Sequence, residues 1–485
     1  VEVLNWFLAA LVFAGALPPA TGCYQFVLAG LHRFRRGRRT IAPLHPKVAV
    51  VIPAWNEVAV LGRTLDHLLA LEYPEDRLRV YVVDDASDDG TPELVRERAA
   101  QDSRVVHLRR ENGGEGKAHT INHGLRQLYE EGWFEAVLII DADVLLTPSA
   151  LRLMTRHLAD PEVGAVTAYI KEGSNPGNTV TRFVAFEYIT AQAAARRAQN
   201  VLGVQACLAG GSQLIRRAAL DDVGGEIDTS TLAEDTVTTF KVQLAGHRVV
   251  FEPFAIVWAE EPGTIDGLWK QRLRWGRGNV QVTRRFRKVW FRRWRGGRLG
   301  GVSFGLIWFS VTLMPVFMVL SSVGLITLLF IDRDFSVETF QTFWAVNLGT
   351  YLFITLSSFS IDPRAARRSL LQGLAFPGLV SLLVIAYATY PPLLDGLNIE
   401  EDSTVWWITI LAVYSWLSAS MLAAEVVHRL SRNPRLWWLT SPLLYLVGFG
   451  PLLCAITAAA YGKELRGAEM RWDKTEKTGK VEELV

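Results

Sequence analysis

V-A-V-V-I-P-A-W-N-E, residues 48–57, decides the fold. Small and β-branched apolar residues run without a break to Ile52 and then give way to Pro53, Asn56 and Glu57, as expected of a short strand buried on both faces. Runs of the same kind recur at 80–84, 105–108, 137–141 and 163–169, and the stretches 58–71, 92–100, 118–129 and 148–159 between them read as amphipathic helices. Strands alternating with helices predict a parallel sheet with crossover connections. Ligands of such sheets gather at the carboxyl edge of the strands. That edge carries Pro53, Asn56 and Glu57 after the first strand, Asp84 and Asp85 after the second, and Asp141 and Asp143 after the fourth. Any one of them fits an ordinary turn or helix cap; several on one edge point to a binding site.

Asp141-Ala142-Asp143 follows a run apolar enough to be central. Two carboxylates one residue apart repel unless a cation or hydrogen-bond donors lie between them. A hard divalent ion with oxygen ligands, magnesium or manganese, answers that need and commonly completes its shell with phosphate oxygens. The pair is therefore a candidate for holding a metal and a diphosphate.

Half of the 485 residues are apolar, and they are unevenly placed. Long runs at 4–31, 302–331, 340–360, 370–394, 405–427 and 436–461 are each near or above the roughly 20 residues that span a bilayer, which predicts six membrane segments. The first run lacks a basic region before it and is followed by the basic stretch 32–39, so it reads as a retained helix rather than a cleaved signal peptide. Basic loops at 33–39, 364–368 and 429–435 contrast with acidic ones at 332–338 and 395–402. The positive-inside tendency places the basic loops, and the large segment between the first two spans, in the cytoplasm of a multi-pass plasma-membrane protein. One span before that segment and five after it would leave the tail outside, although its lysines and arginines favour the inside. Pro442, Gly448, Gly450 and Pro451 suggest that the last run is broken or re-entrant, and the tail is expected inside. The expected organisation is a membrane helix with a basic flank (1–40), a catalytic domain (41–260), interfacial helices (261–300), membrane helices (301–461) and a cytoplasmic tail (462–485). Three distant cysteines indicate neither a disulfide framework nor a zinc site.

With those residues in place, the chain resembles the family 2 glycosyltransferases, and among them the membrane-embedded cellulose, hyaluronan, chitin and poly-N-acetylglucosamine synthases. The motifs are V-V-I-P-A-W-N-E (50–57), V-V-D-D-A-S-D-D-G-T (82–91), G-G-E-G-K-A (113–118), D-A-D (141–143), A-E-D (233–235) and Q-R-L-R-W (271–275). Residues 251–275 look most like the poly-β-1,6-N-acetylglucosamine synthases. The resemblance implies a GT-A fold, an α/β, Rossmann-like and mostly parallel cytoplasmic domain joined to a helical membrane domain. It implies that Pro53, Asn56 and Glu57 line the nucleobase and ribose, that Asp85 with Asp84 holds the uridine, and that Lys117 lies by the nucleotide. Asp141 and Asp143 would hold the diphosphate and its Mg2+ or Mn2+. Asp235, with Glu234 beside it, would be the general base, and Gln271, Arg272, Arg274 and Trp275 would close over donor and acceptor. Ala233 departs from the family's usual Thr before Glu-Asp, which bears on the acceptor.

Inverting transfer requires a base on the acceptor hydroxyl opposite the departing diphosphate, and a carboxylate suits this. By itself Glu234-Asp235 reads rather as the acidic first turn of a helix, and the surrounding motifs reverse that order. The Gly210-Gly211 pair in C-L-A-G-G-S would allow backbone to approach a sugar closely. Trp275 and the basic residues around it also fit an interfacial helix. Eight Lys or Arg among aromatic residues at 284–298 favour anionic lipid headgroups over nucleic acid. The expected function is processive, inverting transfer from a UDP-sugar, UDP-N-acetylglucosamine or UDP-glucose, to a growing polysaccharide coupled to its export, with an accessory export subunit as a further partner. Single addition to a lipid-linked acceptor is the alternative. Trp472-Asp473-Lys474-Thr475 in the tail are placed to approach the nucleotide.

Overall fold

A computed structural model of the protein describes residues 2–36, 43–393, 400–470 and 477–482; the 472–475 expectation lies outside them. The chain divides into two compact units, one of residues 1–26, 263–280 and 306–468, the other of residues 27–262, 281–305 and 469–485.

The second unit is built on an eight-stranded sheet of β1 (Val48–Ala54), β2 (Leu78–Asp84), β3 (Val105–Arg109), β4 (Ala136–Ile139), β5 (Val144–Leu146), β6 (Val163–Glu172), β7 (Gln213–Arg216) and β8 (Arg248–Ala259), in the order β3-β2-β1-β4-β7-β6-β8-β5. The β3-β2-β1-β4 half is parallel. β7 then runs antiparallel between β4 and β6, β8 lies parallel to β6, and β5 closes the edge antiparallel to β8. The fold is thus Rossmann-like in its first half and mixed in its second. Pro53 lies within β1 rather than after it. It is tolerated because β4 pairs only with Val48–Val51, so at Pro53 the missing N–H faces no neighbour on that side.

The helix Lys117–Glu131 packs Ile121, Leu125 and Leu128 into the core with Val51, Tyr81, Val83, Val137 and Ile139. Gly124 sets its closeness, since a Cβ there would come within 2.8 Å of Val83 and 3.2 Å of Val51. The same approach fixes Lys117 at the helix N-terminus. The segment 179–202 is helical but interrupted: Thr179–Tyr188 buries Phe183 and Phe186, Ile189–Ala194 widens into a π-turn, and Ala195–Leu202 follows.

Among the described residues of the first unit, three helices are long and apolar enough to cross a membrane: Met314–Ile331, Arg333–Ile361 and Thr404–Ser431. Counting two bent pairs as one span each, Glu2–Ala14 with Leu17–His32 (54°) and Trp437–Val447 with Phe449–Leu465 (100°), the number rises to five. The expected run 370–394 is not among these five. The run 370–394 breaks at Pro377-Gly378 and leaves only Leu379–Thr389 as a longer helix, because a proline followed by a left-handed glycine cannot continue the hydrogen-bond ladder. The expected interruption of the last run is present at Gly448.

Charge is segregated along this unit. At one end Arg333 pairs with Glu401 (2.9 Å) and Asp402 (3.3 Å), joining the two acidic loops. The 28-residue helix Thr404–Ser431, about 42 Å long by its rise, leads from there to His428 and Arg432. These lie 3.2 and 3.6 Å from Asp266 on the helix Ile265–Arg285, and His428 stacks on Trp269 with ring centroids 4.0 Å apart. Further along the same helix, Arg277 pairs with Glu464 at 2.6 Å. His428 and Arg432, just before the bent pair Trp437–Leu465, and Glu464, near its end, therefore lie beside one helix.

The bend is held by a backbone crossing. A Cβ at Gly448 (φ 102°) would sit 2.5 Å from the Gly378 nitrogen and the Pro377 carbonyl carbon. Gly448→Ala is expected to cost about 1–3 kcal/mol from overpacking and roughly 1–2 kcal/mol from the left-handed backbone. The check is a lower thermal midpoint in detergent, with Gly349→Ala, which meets nothing within 4 Å, as the control.

Candidate active site

Three loops converge at the carboxyl edge of the parallel strands. After β1, Asn56 adopts φ 54° and is fixed to the β2 loop: Ser87 Oγ accepts from its backbone N–H (2.9 Å), and its side-chain oxygen accepts from the Asp88 N–H (2.9 Å). The Glu57 N–H donates to Thr91 Oγ1 at 2.9 Å.

After β2, Asp84 is fully buried, accepting from the Ser87 N–H (2.9 Å) and from the Arg109 guanidinium. Asp85 accepts from the Gly114 N–H (3.0 Å) and from buried Arg110, which also holds Glu115. The G-G-E-G loop therefore folds round Asp85, and only glycine fits at 113, where a Cβ would lie 2.3 Å from the Asp85 carbonyl. Sequence reasoning passed over Arg109 and Arg110. Their signal was available, because they end the third strand on the same edge and β2–β3 register sets Arg109 opposite Asp84.

The third loop follows β4. Lys117 Nζ binds the Asp141 carboxylate and lies 3.8 Å from Glu234. Burial opposes its charge, but Asp141 and Glu234 outweigh that and push its pKa up. Gly210 shows how tightly these groups meet: a Cβ there would stand 3.2 Å from Lys117 Nζ, 3.5 Å from Asp235 Oδ2 and 3.8 Å from Asp141 Oδ2. One at Gly211 would stand 3.9 Å from Asp141 Oδ2. Lys117, Asp141, Asp235, Gly210 and Gly211 thus line one small space. Glu234 and Asp235 open the helix Glu234–Leu244, so the first-turn reading of the pair also holds, and Asp235 Oδ1 accepts from the Thr236 N–H (2.6 Å). Cys207 is partly buried next to Asp235, its thiol pushed up by desolvation and then by that carboxylate.

Asp143 points to a different cation. Its carboxylate lies 2.6 Å from the Lys477 ammonium in the C-terminal segment. Burial raises its pKa, with Lys477 opposing and Asp141 adding to the rise. Both D-A-D carboxylates are therefore matched to positive charge, and an all-oxygen pair of this kind suits magnesium or manganese. Among the described residues no group of three or more His, Cys, Asp or Glu is placed to hold a metal ion by itself.

Gln271, Arg272, Arg274 and Trp275 lie on the helix Ile265–Arg285 in the other unit, where Gln271 and Arg272 are buried and the Arg272 guanidinium lies 4.0 Å over the Trp275 ring. A separate depression of about 500 Å³ is lined by Ser87, Asp88, Gly90, Arg96, His107 and Arg109, among others, and includes none of the D-A-D, Lys117 or Asp235 groups.

At the end of β6, burial pushes the Glu172 carboxyl up to about 7, with Ser174 opposing and Glu261 and Glu260 adding. A carboxyl raised in the fold contributes stability that is complete below its ordinary 4.5 and is lost as pH rises through 7. The shift corresponds to on the order of 3 kcal/mol. Glu172→Gln is expected to flatten the fall in thermal midpoint between those two pH values, as followed by differential scanning fluorimetry.

Comparison with known proteins bears on the family and the fold. The family described as "Glycosyltransferase like family 2" matches residues 45–278. The probable glycosyltransferase YdaM of Bacillus subtilis is 29% identical over 402 residues, 81% of this chain and 86% of YdaM. The poly-beta-1,6-N-acetyl-D-glucosamine synthase of Staphylococcus aureus is 30% identical over 236 residues, 48% of this chain, and the match spans only 55% of that synthase. Among solved structures, a mannosyltransferase from Pyrobaculum calidifontis in complex with GDP-Man and Mn2+ has a TM-score of 0.52 at 22% identity, covering 74% of this chain and 99% of its own; the likeness is one of fold.

Proposed function

We propose that the chain is a family 2 glycosyltransferase, an inverting polysaccharide synthase that takes sugar from a UDP-sugar and extends a polymer processively, exporting it through its membrane helices. The observation that carries the catalytic part is the convergence of Lys117, Asp141 and Asp235 on the space beside Gly210. In this reading Asp235 accepts the proton of the acceptor hydroxyl as that oxygen attacks the anomeric carbon from the side opposite the diphosphate. Holding the base within hydrogen-bond reach is worth roughly 10²–10⁴ in rate. Lys117 offers its ammonium to the departing diphosphate. Asp85, clamped by Arg110 and the Gly114 N–H, presents a fixed edge to the uracil and ribose, with Asn56 and Glu57 beside it. Asp141 and Asp143 would hold Mg2+ or Mn2+, which neutralises charge on the leaving oxygens when bound.

The charge segregation of the helical unit supports a cytoplasmic catalytic unit in the plasma membrane. With the last bent pair re-entrant, the passages after the catalytic unit number four: 302–331, 333–361, the return through 363–393, and 404–431. An even count brings the tail back to the catalytic side. The acceptor is a polysaccharide or a lipid-linked sugar. Purified protein incubated with labelled nucleotide sugars and manganese, followed by product sizing, tests the reading. A ladder of long products from one UDP-sugar supports it, while a single added residue supports the lipid-linked alternative.

A further inference from the structure

Residues 477–482 are docked on the catalytic unit by a receptor that the donor chemistry does not use. Buried Glu260 is its centre. Its carboxylate accepts from the Thr478 N–H (2.8 Å), the Thr478 hydroxyl (2.8 Å) and the Gly479 N–H (3.0 Å), while its backbone carbonyl accepts from Lys477 Nζ (2.5 Å). Gly479 (φ 73°) fits where a Cβ would be 2.6 Å from the Ala59 carbonyl, and its own carbonyl accepts from Arg63 (3.1 Å). The next residues continue beyond the end of β6: the Asn175 N–H donates to the Lys480 carbonyl (2.8 Å) and the Glu482 N–H to the Gly173 carbonyl (2.9 Å). Val481 is buried against Leu145 and Trp258. This built contact delivers one ammonium, that of Lys477, to Asp143.

Two cations that need the same carboxylate oxygens exclude one another. We propose that the C-terminal segment is a cation-exchange latch: Lys477 holds Asp143 while the tail is docked on Glu260, and a divalent ion entering the D-A-D site displaces it and loosens the tail. The proposal rests on the reading of Asp143 as a metal ligand. Linkage makes the coupling reciprocal, so whatever the tail costs the ion in affinity, the ion costs the tail in docking. A coupling of the usual size is about 5- to 150-fold. The docked tail thereby reports the state of the site, and a segment released from the sheet edge opens the way to the site only once the ion is in place.

The test uses the full-length protein in detergent with manganese alone. Hydrogen exchange at the amides of Thr478, Gly479 and Glu482 is expected to be slow without the ion and faster with it. Manganese affinity, read by electron paramagnetic resonance, is expected to tighten by about 5-fold or more in Lys477→Gln. Glu260→Gln, which loosens the anchor without touching Asp143, is expected to shift it in the same direction. Unchanged or weaker affinity in both variants, or tail amides that stay protected at saturating manganese, would overturn the latch while leaving the metal site intact. Absence of manganese binding from the wild type and from Lys477→Gln alike would sink the metal reading and the latch together.

Discussion

Asp235→Asn is expected to leave nucleotide-sugar binding within a few-fold of the wild type while slowing transfer by roughly 10²–10⁴. The amide keeps the size of the carboxylate and an oxygen to accept from the Thr236 N–H, so the helix start is preserved, but it cannot take the acceptor's proton. Isothermal titration with UDP measures the first quantity and a single-turnover assay the second. Loss of donor binding with unchanged chemistry per bound donor would move Asp235 into the nucleotide site. The base would then have to be sought among its neighbours, Glu234 first.

Asp143→Asn is expected to abolish metal-dependent transfer, a loss of at least about 10³-fold, since several kcal/mol of charge stabilisation disappear at about 1.36 kcal/mol per decade of rate. Excess manganese should not restore it. The fold should survive, because Glu260 still anchors the tail through Thr478 and Gly479 and the sheet does not depend on the carboxylate. Turnover near wild type from a protein with an unchanged thermal midpoint would remove Asp143 from the metal site.

The parallel half of the sheet was legible because its strands are short β-branched runs buried on both faces, a pattern that few other structures produce. The strands that were missed have specific reasons. β5 is three residues long and β7 reads Q-L-I-R, with polar residues at both ends. β8 carries Glu252-Pro253 at its middle, which argues against a strand. The structure admits them by a bulge: register passes from Ala168 opposite Glu252 directly to Tyr169 opposite Ile256, and the buried Glu252 is paired with Arg156 (2.8 Å) and His157 (2.7 Å). In the helical part, hydropathy measured apolar length but not direction, so the turn at Gly378 was counted as continuous span, whereas the break at Gly448 was expected from the prolines and glycines around it. Of the site, motif spacing located Lys117, Asp141, Asp235 and the glycine pair. It could not locate Lys477, whose neighbour Thr478 meets Glu260 across 218 residues through a contact with no periodicity behind it.

The first helix finds its partners only at the far end of translation. Ser321 donates its hydroxyl to the Val12 carbonyl (2.7 Å) across 309 residues, Asn5 donates to Asp332 (2.7 Å), and Gly15 makes room for the serine, since a Cβ there would lie 2.3 Å from its oxygen. At 5–20 residues per second, Ser321 emerges roughly 15–60 s after Val12. Over that interval the nascent helix must satisfy Asn5 with another partner, such as water, while the whole catalytic unit is made. A substitution such as Asn5→Leu would relieve that wait and yet leave Asp332 short of a donor in the finished protein, so gains in insertion and losses in final stability should separate when the two are measured on the same variant.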